Sequence, residues 1–181
     1  MASSITLFSH EGAQFASPFG EGTIRFGDSA EQVVAVLGEP ESHSSESRLY
    51  FSQANIQVHI GDNGVEFIEF ATNPEKDGVA VKWEGHNLSH MNAIECAELL
   101  KKLNDGARLD DGQAPEAYAF EKLGLSVWQP YALADALEEL EEARAGGVEG
   151  DELEYFEEEA TMAECFDAIG LGSRDYMKQY F

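Results

Sequence analysis

The sequence predicts an α+β fold in which two units, each a helix followed by an antiparallel meander, form one sheet with the helices packed on one face. Three observations lead to this fold: two apolar helical stripes with capping residues, two groups of short strands, and an ungapped alignment between the groups. With 181 residues, 43% of them hydrophobic, the chain can bury a substantial core. We predict a single domain, 1–181, in which 22–72 is the first unit, 79–131 the second, and 132–181 an acidic helix with an aromatic C-terminal segment.

The first unit combines a capped helix with a pair of strands. Residues 23–27 resemble a strand, Asp28 or Ser29 is a suitable helix N-cap, and Gly38 and Pro40 end the helix. The apolar face of this helix consists of Val33, Val34 and Leu37. The strand signals that follow are 49–51, 56–60 and 65–70, with a turn at 61–64 that contains Asn-Gly.

The second unit repeats this order. A strand signal at 79–83 precedes a helix that we predict from Ser89, its N-cap, to Leu103, and strand signals follow at 118–120 and 125–128. The predicted apolar face of the helix consists of Ile94, Ala97, Leu99, Leu100 and Leu103. An alignment of the two strand groups without gaps places Phe51 on Phe120, Ile56 on Leu125 and Val58 on Val127. Because one such unit buries its apolar face poorly, we expect the two to share a sheet.

After Pro130 the chain becomes strongly acidic. Residues 135–159 contain 12 acidic residues and one basic residue, Arg144. A narrow apolar stripe, Leu133, Leu137 and Leu140, predicts a helix that ends at Gly146-Gly147. The residues that follow are again rich in aromatic and aliphatic side chains, so we expect this C-terminal segment to pack back on the domain.

The charge of the whole chain restricts the class of partner. There are 11 Lys and Arg residues against 35 Asp and Glu residues, a formal net charge of −24. Nucleic acids and anionic membranes are poor partners for such a chain, because their binding depends on cationic side chains. Basic proteins and cations are suitable partners. The sequence leaves the oligomeric state open.

We expect a cytoplasmic location. No stretch approaches the ~18 apolar residues of a membrane span. Residues 1–11 lack the cationic start and apolar run of a secretory signal, and two isolated cysteines are typical of a reducing compartment.

Two resemblances concern the fold and one class of function. Residues 26–40 match the pattern G-x-[ST]-x-x-x-V-x-x-x-L-G-x-P and resemble small lipoproteins of the outer-membrane β-barrel assembly machine and the repeats of β-lactamase-inhibitory proteins. Because the chain has no lipidation cysteine near its start, this resemblance implies only a helix-plus-meander fold. The layout L-G-x-P at 37–40, L-G-L-S-x-W at 123–128 and F-x-x-I-G-x-G at 166–172 is similar to an uncharacterised group of bacterial cytosolic proteins. Some members of that group look like immunity proteins that neutralise toxins.

Catalytic and metal-binding motifs are weak. His86 and His90 have the spacing of two ligands on a helix, but the sequence provides no third ligand, so we expect no metal site and no cofactor. The chain contains no nucleophile elbow, P-loop or complete dinucleotide-binding glycine motif. Cys165 has no basic neighbour in the sequence and Cys96 lies within the apolar stripe of the second helix, so both are predicted to be buried thiols. We therefore predict no catalytic residue.

Two groups of residues are candidates for partner binding. Glu138, Glu139, Glu141 and Glu142 form either an acidic surface for a cationic partner or a solvated helix face. Strand alternation directs His59 and Trp128 away from the core, where Trp128 either anchors a partner or is covered by the acidic helix or the C-terminal segment.

These observations predict a non-enzymatic acidic protein-binding module. Its most specific form is a bacterial immunity or inhibitor protein that neutralises a basic toxin or effector by occluding the active site of that protein. The alternatives are a small-molecule-binding protein or enzyme that uses the outer sheet face around His59 and Trp128, and a scaffold in a larger assembly.

Overall fold

The α+β class is confirmed by the structure, a computed structural model that describes residues 4–17, 20–72 and 80–181. Within these residues the strands are β1 (Ser4–Phe8), β2 (Gly12–Ser17), β3 (Gly20–Arg25), β4 (Arg48–Phe51), β5 (Ile56–Gly61), β6 (Gly64–Ala71), β7 (Ala80–Trp83), β8 (His86–Asn87), β9 (Leu109–Asp110), β10 (Ala117–Phe120), β11 (Leu125–Trp128) and β12 (Ala168–Gly172). The α-helices are α1 (Ala30–Leu37), α2 (Ala93–Leu103), α3 (Leu133–Ala145), α4 (Asp151–Met162) and α5 (Arg174–Met177).

The strands form two sheets, which corrects the prediction of one. The order of the five-stranded sheet is β3-β2-β1-β7-β8, and β1 pairs in parallel with β7. Two of its strands, β1 and β2, lie within residues 4–17, where the sequence predicts no strand or helix. The strand predicted at 79–83 belongs to this sheet as β7; Val79 lies outside the described residues.

The seven-stranded sheet has the order β4-β5-β6-β12-β11-β10-β9. Hairpins β4–β5 and β10–β11 have the same register: Phe51 is opposite Ile56, and the aligned Phe120 is opposite Leu125. The C-terminal strand β12 lies between β6 and β11. The sequence predicts only that this C-terminal segment packs back on the domain. In the structure it is a strand that joins the two hairpins.

The core lies between the two sheets. Inward residues of the seven-stranded sheet, such as Ile68 and Leu125, are fully buried, and Phe15 of β2 packs against Phe70 of β6 with ring centroids 6.4 Å apart. Helix α2 adds Cys96 to the same core. The inner face is thus covered by a sheet as well as by helices, which corrects the prediction of helices alone.

The helices α1 and α2 begin at side-chain caps. Ser29, one of the two predicted N-caps, caps α1, and its backbone N–H in turn donates a hydrogen bond to the Gln32 side chain. Helix α2 begins later than predicted, because Asn92 is its cap, whereas Ser89 is buried and its Oγ accepts a hydrogen bond from the Val81 N–H. Ile94, predicted on the apolar face, is exposed.

Helices α3 and α4 form an antiparallel pair, which we call the acidic hairpin. Its seam consists of Leu133, Ala136, Leu140, Ala160 and Ala163. Leu137, predicted in the stripe, is exposed, because the buried face of α3 consists of Leu133, Ala136, Leu140 and Ala143. Arg144 forms an ion pair with Glu157 across the hairpin, with Nη2 and Oε1 2.7 Å apart. None of the helices in the described part of the chain combines the length and apolar character needed to cross a bilayer.

Candidate binding groove on the outer sheet face

A groove lies on the outer face of the seven-stranded sheet, opposite the core. It encloses a cavity of about 290 Å³. We define the outer groove by the six residues His59, Phe67, Glu69, Trp128, Tyr176 and Tyr180, all of which line this cavity. The structure thus brings His59 and Trp128, both predicted to face outward, to one site.

Small residues, Ala117, Ala119 and Ser126, form the floor of the outer groove, and Gly170 lies beside them under the ring of Phe67. Gly170 of β12 pairs with Ser126 on one side and with Glu69 on the other. A Cβ atom at Gly170 would lie 2.3 Å from Ser126 Oγ and 2.4 Å from Phe67 Cζ. The glycine is therefore required for the Phe67 ring to lie flat across the sheet. Gly172, the second glycine of β12, is required by a different contact, because a Cβ atom there would lie 2.6 Å from Met177 Sδ.

Aromatic rings form one wall of the outer groove. Phe67 is stacked on Tyr176 with centroids 4.6 Å apart and an interplanar angle of 21°, and the His59 ring centroid lies 5.1 Å from that of Phe67. The short helix α5 positions Tyr176, because the Ser173 hydroxyl caps the helix and accepts a hydrogen bond from the Tyr176 N–H. The C-terminal segment therefore supplies part of the wall and leaves Trp128 half exposed.

His59 is held by contacts to both ring nitrogens. The hydroxyl of Tyr176 is 3.3 Å from Nδ1, and Nε2 contacts the side-chain amide of Gln57. Burial lowers the pKa of His59, and the nearby positive charge of Arg48 lowers it further, so the ring is mainly neutral at pH 7. With both nitrogens engaged, this histidine acts as a fixed part of the wall.

Glu69 is the main charged group inside the outer groove. Burial raises the pKa of its carboxyl, and the positive charge of Arg48 partly opposes this effect. Among the described residues, none forms an ion pair or a side-chain hydrogen bond with this carboxylate. A half-buried carboxylate without a partner is a strong acceptor for a ligand that carries positive charge. Asp110 contributes a second carboxylate to the lining.

A second cavity extends the groove across the sheet. It has a volume of about 210 Å³, shares Glu69 with the outer groove, and is lined also by Gln57, Tyr50 and His43. The ring centroids of His43 and Tyr50 are 4.9 Å apart. The two cavities are adjacent on the outer face of the sheet, and Glu69 lines both.

The acidic residues predicted to bind a partner lie elsewhere. Glu138, Glu139, Glu141 and Glu142 are exposed on α3 of the acidic hairpin. A smaller cavity of about 140 Å³, between the Pro130-Tyr131 segment and α4, is lined by Tyr131, Glu159, Met162 and Asp167. The structure therefore places the six predicted residues on two surfaces.

The remaining candidates show no arrangement suited to chemistry. His86 and His90 are exposed, and the Asn87 side chain lies 3.2 Å from His90 Nδ1. Within residues 4–17, 20–72 and 80–181, no group of three His, Cys, Asp or Glu residues could hold a metal ion. Cys96 and Cys165 are buried.

Sequence reasoning misses Glu69, Tyr176 and Tyr180. Glu69 alternates with buried residues on β6, so the rule that places His59 outward could have identified it. The two tyrosines reach the site only through the path of the C-terminal segment, which no local pattern indicates.

Comparison with protein-family models, with curated proteins and with solved structures finds no match to this chain.

Proposed function

We propose that this protein is a non-enzymatic binding module that takes a basic protein partner on the outer groove and the acidic hairpin. The observation that carries the proposal is a set of exposed aromatic residues among carboxylates: Trp128, Tyr131 and Tyr155 are 49%, 53% and 54% exposed. Tryptophan and tyrosine contribute disproportionately to binding energy at protein interfaces. Exposed together, they are typical of a surface that a partner covers.

The two surfaces are neighbours. Trp128, in the outer groove, is opposite Ala168 on β12. Asp167, the residue before Ala168, lines the small cavity of the acidic hairpin together with Tyr131. A partner that covers Trp128 would therefore reach the hairpin without crossing other parts of the structure.

Charge favours a basic partner. The net charge is −24, and residues 135–159 contain 12 acidic residues with only Arg144 as a cation. A concentrated negative potential attracts a cationic protein at long range and accelerates association at low salt. The aromatic residues then provide short-range contacts that charge alone does not.

The specific form of the proposal is an immunity or inhibitor protein of the bacterial cytoplasm. It would neutralise a basic toxin or effector by covering the active site of that protein. The resemblance of the segments 37–40, 123–128 and 166–172 to immunity-protein-like chains supports this form, and the acidic surface is suited to a cationic target such as a nuclease.

A display selection tests the proposal although the partner is unidentified. A random peptide library is selected on the immobilised full chain at physiological salt, and the enriched peptides are compared with the unselected library. We expect enrichment in Lys and Arg and loss of binding in Trp128→Ala. Neutral or acidic peptides, or equal binding to the variant, would contradict a basic partner at this surface.

The role of the acidic hairpin is tested by matched charge reversal. One variant carries Lys at Glu138, Glu139, Glu141 and Glu142, and the control carries Lys at Glu21, Glu39, Glu46 and Glu84, which are exposed outside the hairpin. Both change the net charge equally. The hairpin variant should fold normally, associate more slowly with the selected peptides and lose salt dependence. If both variants behave alike, the hairpin is only a solvated face.

A second candidate function is small-molecule binding. The volume of the cavity in the outer groove, about 290 Å³, is close to the lower limit of ligand pockets, roughly 300 Å³, and supports this alternative. An enzyme would use His59, but its two engaged nitrogens disfavour proton transfer. Binding of uncharged small molecules in preference to cations would favour this candidate.

A further inference from the structure

We propose that the outer groove is a pocket for an arginine side chain of the partner, with Glu69 as the carboxylate that receives the guanidinium group. This inference rests on the proposed function and identifies the chemical group that it recognises. Three features of the groove support it: its charge, its aromatic surfaces and its flat floor.

The charge of the lining is complementary to a cation. Glu69 and Asp110 are carboxylates, and none of the described residues that line the cavity is Lys or Arg. Arg48, on β4, is two strands away from Glu69 and forms no ion pair with it among the described contacts. The Glu69 carboxylate thus lies in a partly desolvated site with no cation in contact, where a charge-assisted hydrogen bond is strong.

The aromatic surfaces favour an organic cation over a metal ion. Trp128, Tyr176 and Tyr180 line the same cavity as Glu69. The faces of such rings attract a cation within about 6 Å of the ring centroid. Aromatic rings supply no metal ligands other than the tyrosine hydroxyls, but they do accept the faces of planar cationic groups.

The shape favours arginine over lysine. The floor consists of Ala117, Ala119 and Ser126, whose side chains are small, so a flat group can lie along the sheet. A guanidinium group is planar, stacks on aromatic rings and forms two parallel hydrogen bonds to a carboxylate, whereas an ammonium group is a compact and strongly hydrated charge. The groove therefore offers both contacts that arginine makes and lysine does not.

The test uses small probes and the full chain. Two-dimensional NMR follows the indole N–H of Trp128, assigned with Trp128→Phe, during titration with the blocked amino acids N-acetyl-arginine amide, N-acetyl-citrulline amide and N-acetyl-lysine amide. Citrulline has nearly the same shape as arginine and no charge. We expect saturable shifts with arginine and binding about tenfold weaker with citrulline and lysine. Equal affinity for citrulline or for lysine overturns the assignment.

Variants locate the interaction. Glu69→Gln should weaken binding of the arginine probe about tenfold, whereas Glu139→Gln, on the acidic hairpin, should not change it. Unchanged binding to folded Glu69→Gln overturns the role of Glu69. This result does not depend on the peptide selection. If the groove binds the arginine probe but the chain selects no basic peptides, only the proposed function is contradicted. Selection of basic peptides by a chain that does not discriminate arginine from citrulline contradicts only this inference.

Discussion

Replacing Gly170 with alanine should destabilise the protein and distort the outer groove. Gly170 is a buried residue of β12, the strand that joins the two hairpins. A Cβ atom there would lie 2.3 Å from Ser126 Oγ and 2.4 and 2.7 Å from two carbons of the Phe67 ring. Ser126 can rotate, but the Phe67 ring is fixed by stacking on Tyr176 and by contact with His59.

The expected magnitude follows from two opposing effects. Forcing an extra methyl group into a packed site costs about 1–3 kcal/mol. Alanine also has less conformational freedom than glycine in the unfolded chain, which returns about 0.4–1 kcal/mol. The free energy of unfolding should therefore fall by about 1–2 kcal/mol, and for a chain of this length the melting temperature should fall by roughly 2–8 °C.

Urea denaturation of a double-mutant cycle tests this reasoning. Gly170→Ala is measured in the wild-type chain and in Phe67→Ala, which removes the ring that the new methyl group would meet. In the Phe67→Ala background, the loss of stability caused by Gly170→Ala should be smaller by about 1 kcal/mol or more. Gly112→Ala is the matched control, because a Cβ there meets only an Asp110 oxygen, at 3.4 Å, and its effect should be within ~0.5 kcal/mol of zero. An unchanged cost in Phe67→Ala would refute the steric explanation.

Two further predictions concern titratable groups. Burial raises the pKa of Cys96 to about 12 and also raises the pKa of Cys165. Neither thiol should therefore react with an aromatic disulfide reagent at pH 8 until the protein unfolds. Rapid reaction of the native protein would contradict this prediction. Burial raises the pKa of Glu69 above its value in the unfolded chain, so its contribution to stability is present at low pH and is lost as pH rises through the folded-state pKa. Glu69→Gln should therefore be more stable than wild type in urea at pH 7 and similar to it at pH 3.5; an equal gain at both pH values would contradict the electrostatic cause.

The hairpins of the seven-stranded sheet could be predicted from the sequence because their signals are local. Alternation over 56–60 and the Asn-Gly turn define a strand and its direction, and inward residues such as Val58 and Val127 are buried as expected. The outward positions of His59 and Trp128 follow from the same alternation. Local pattern therefore identifies part of the candidate site.

The second sheet escapes prediction although part of its signal is present. In β1, Ile5 and Leu7 are buried and Ser4 and Thr6 are half-buried, which is a period-two pattern. The segment is short and is followed closely by glycine and proline, so local rules assign no strand there. The strand beside β1 in the sheet is β7, and strands β2–β6 and helix α1 separate the two in the chain. A parallel pairing between strands so far apart produces no local sequence pattern.

The central position of β12 could not be predicted from the sequence for a similar reason. Ile169 and Leu171 are apolar, but the alternating residues include two glycines, so the segment lacks the polar outward positions that identify a half-buried strand. Its place between β6 and β11 depends on pairing with a strand in the first half of the chain. Tyr176 and Tyr180 follow β12, so missing the strand also means missing two of the six residues that define the outer groove.

The position of the outer groove follows from a difference between two hairpins that have the same register. Gln57 and Ser126 occupy equivalent outward positions in the aligned hairpins, and their neighbours on the next strands are Glu69 and Gly170. Large polar residues in the first half thus correspond to small residues in the second. A hollow forms over β10 and β11 and a wall over β5 and β6, although the backbone arrangement of the two hairpins is the same. Because Glu69 forms no ion pair or side-chain hydrogen bond among the described residues, it can set the chemistry of the groove independently of the packing around it, which is why Glu69→Gln should weaken recognition of arginine without weakening the fold.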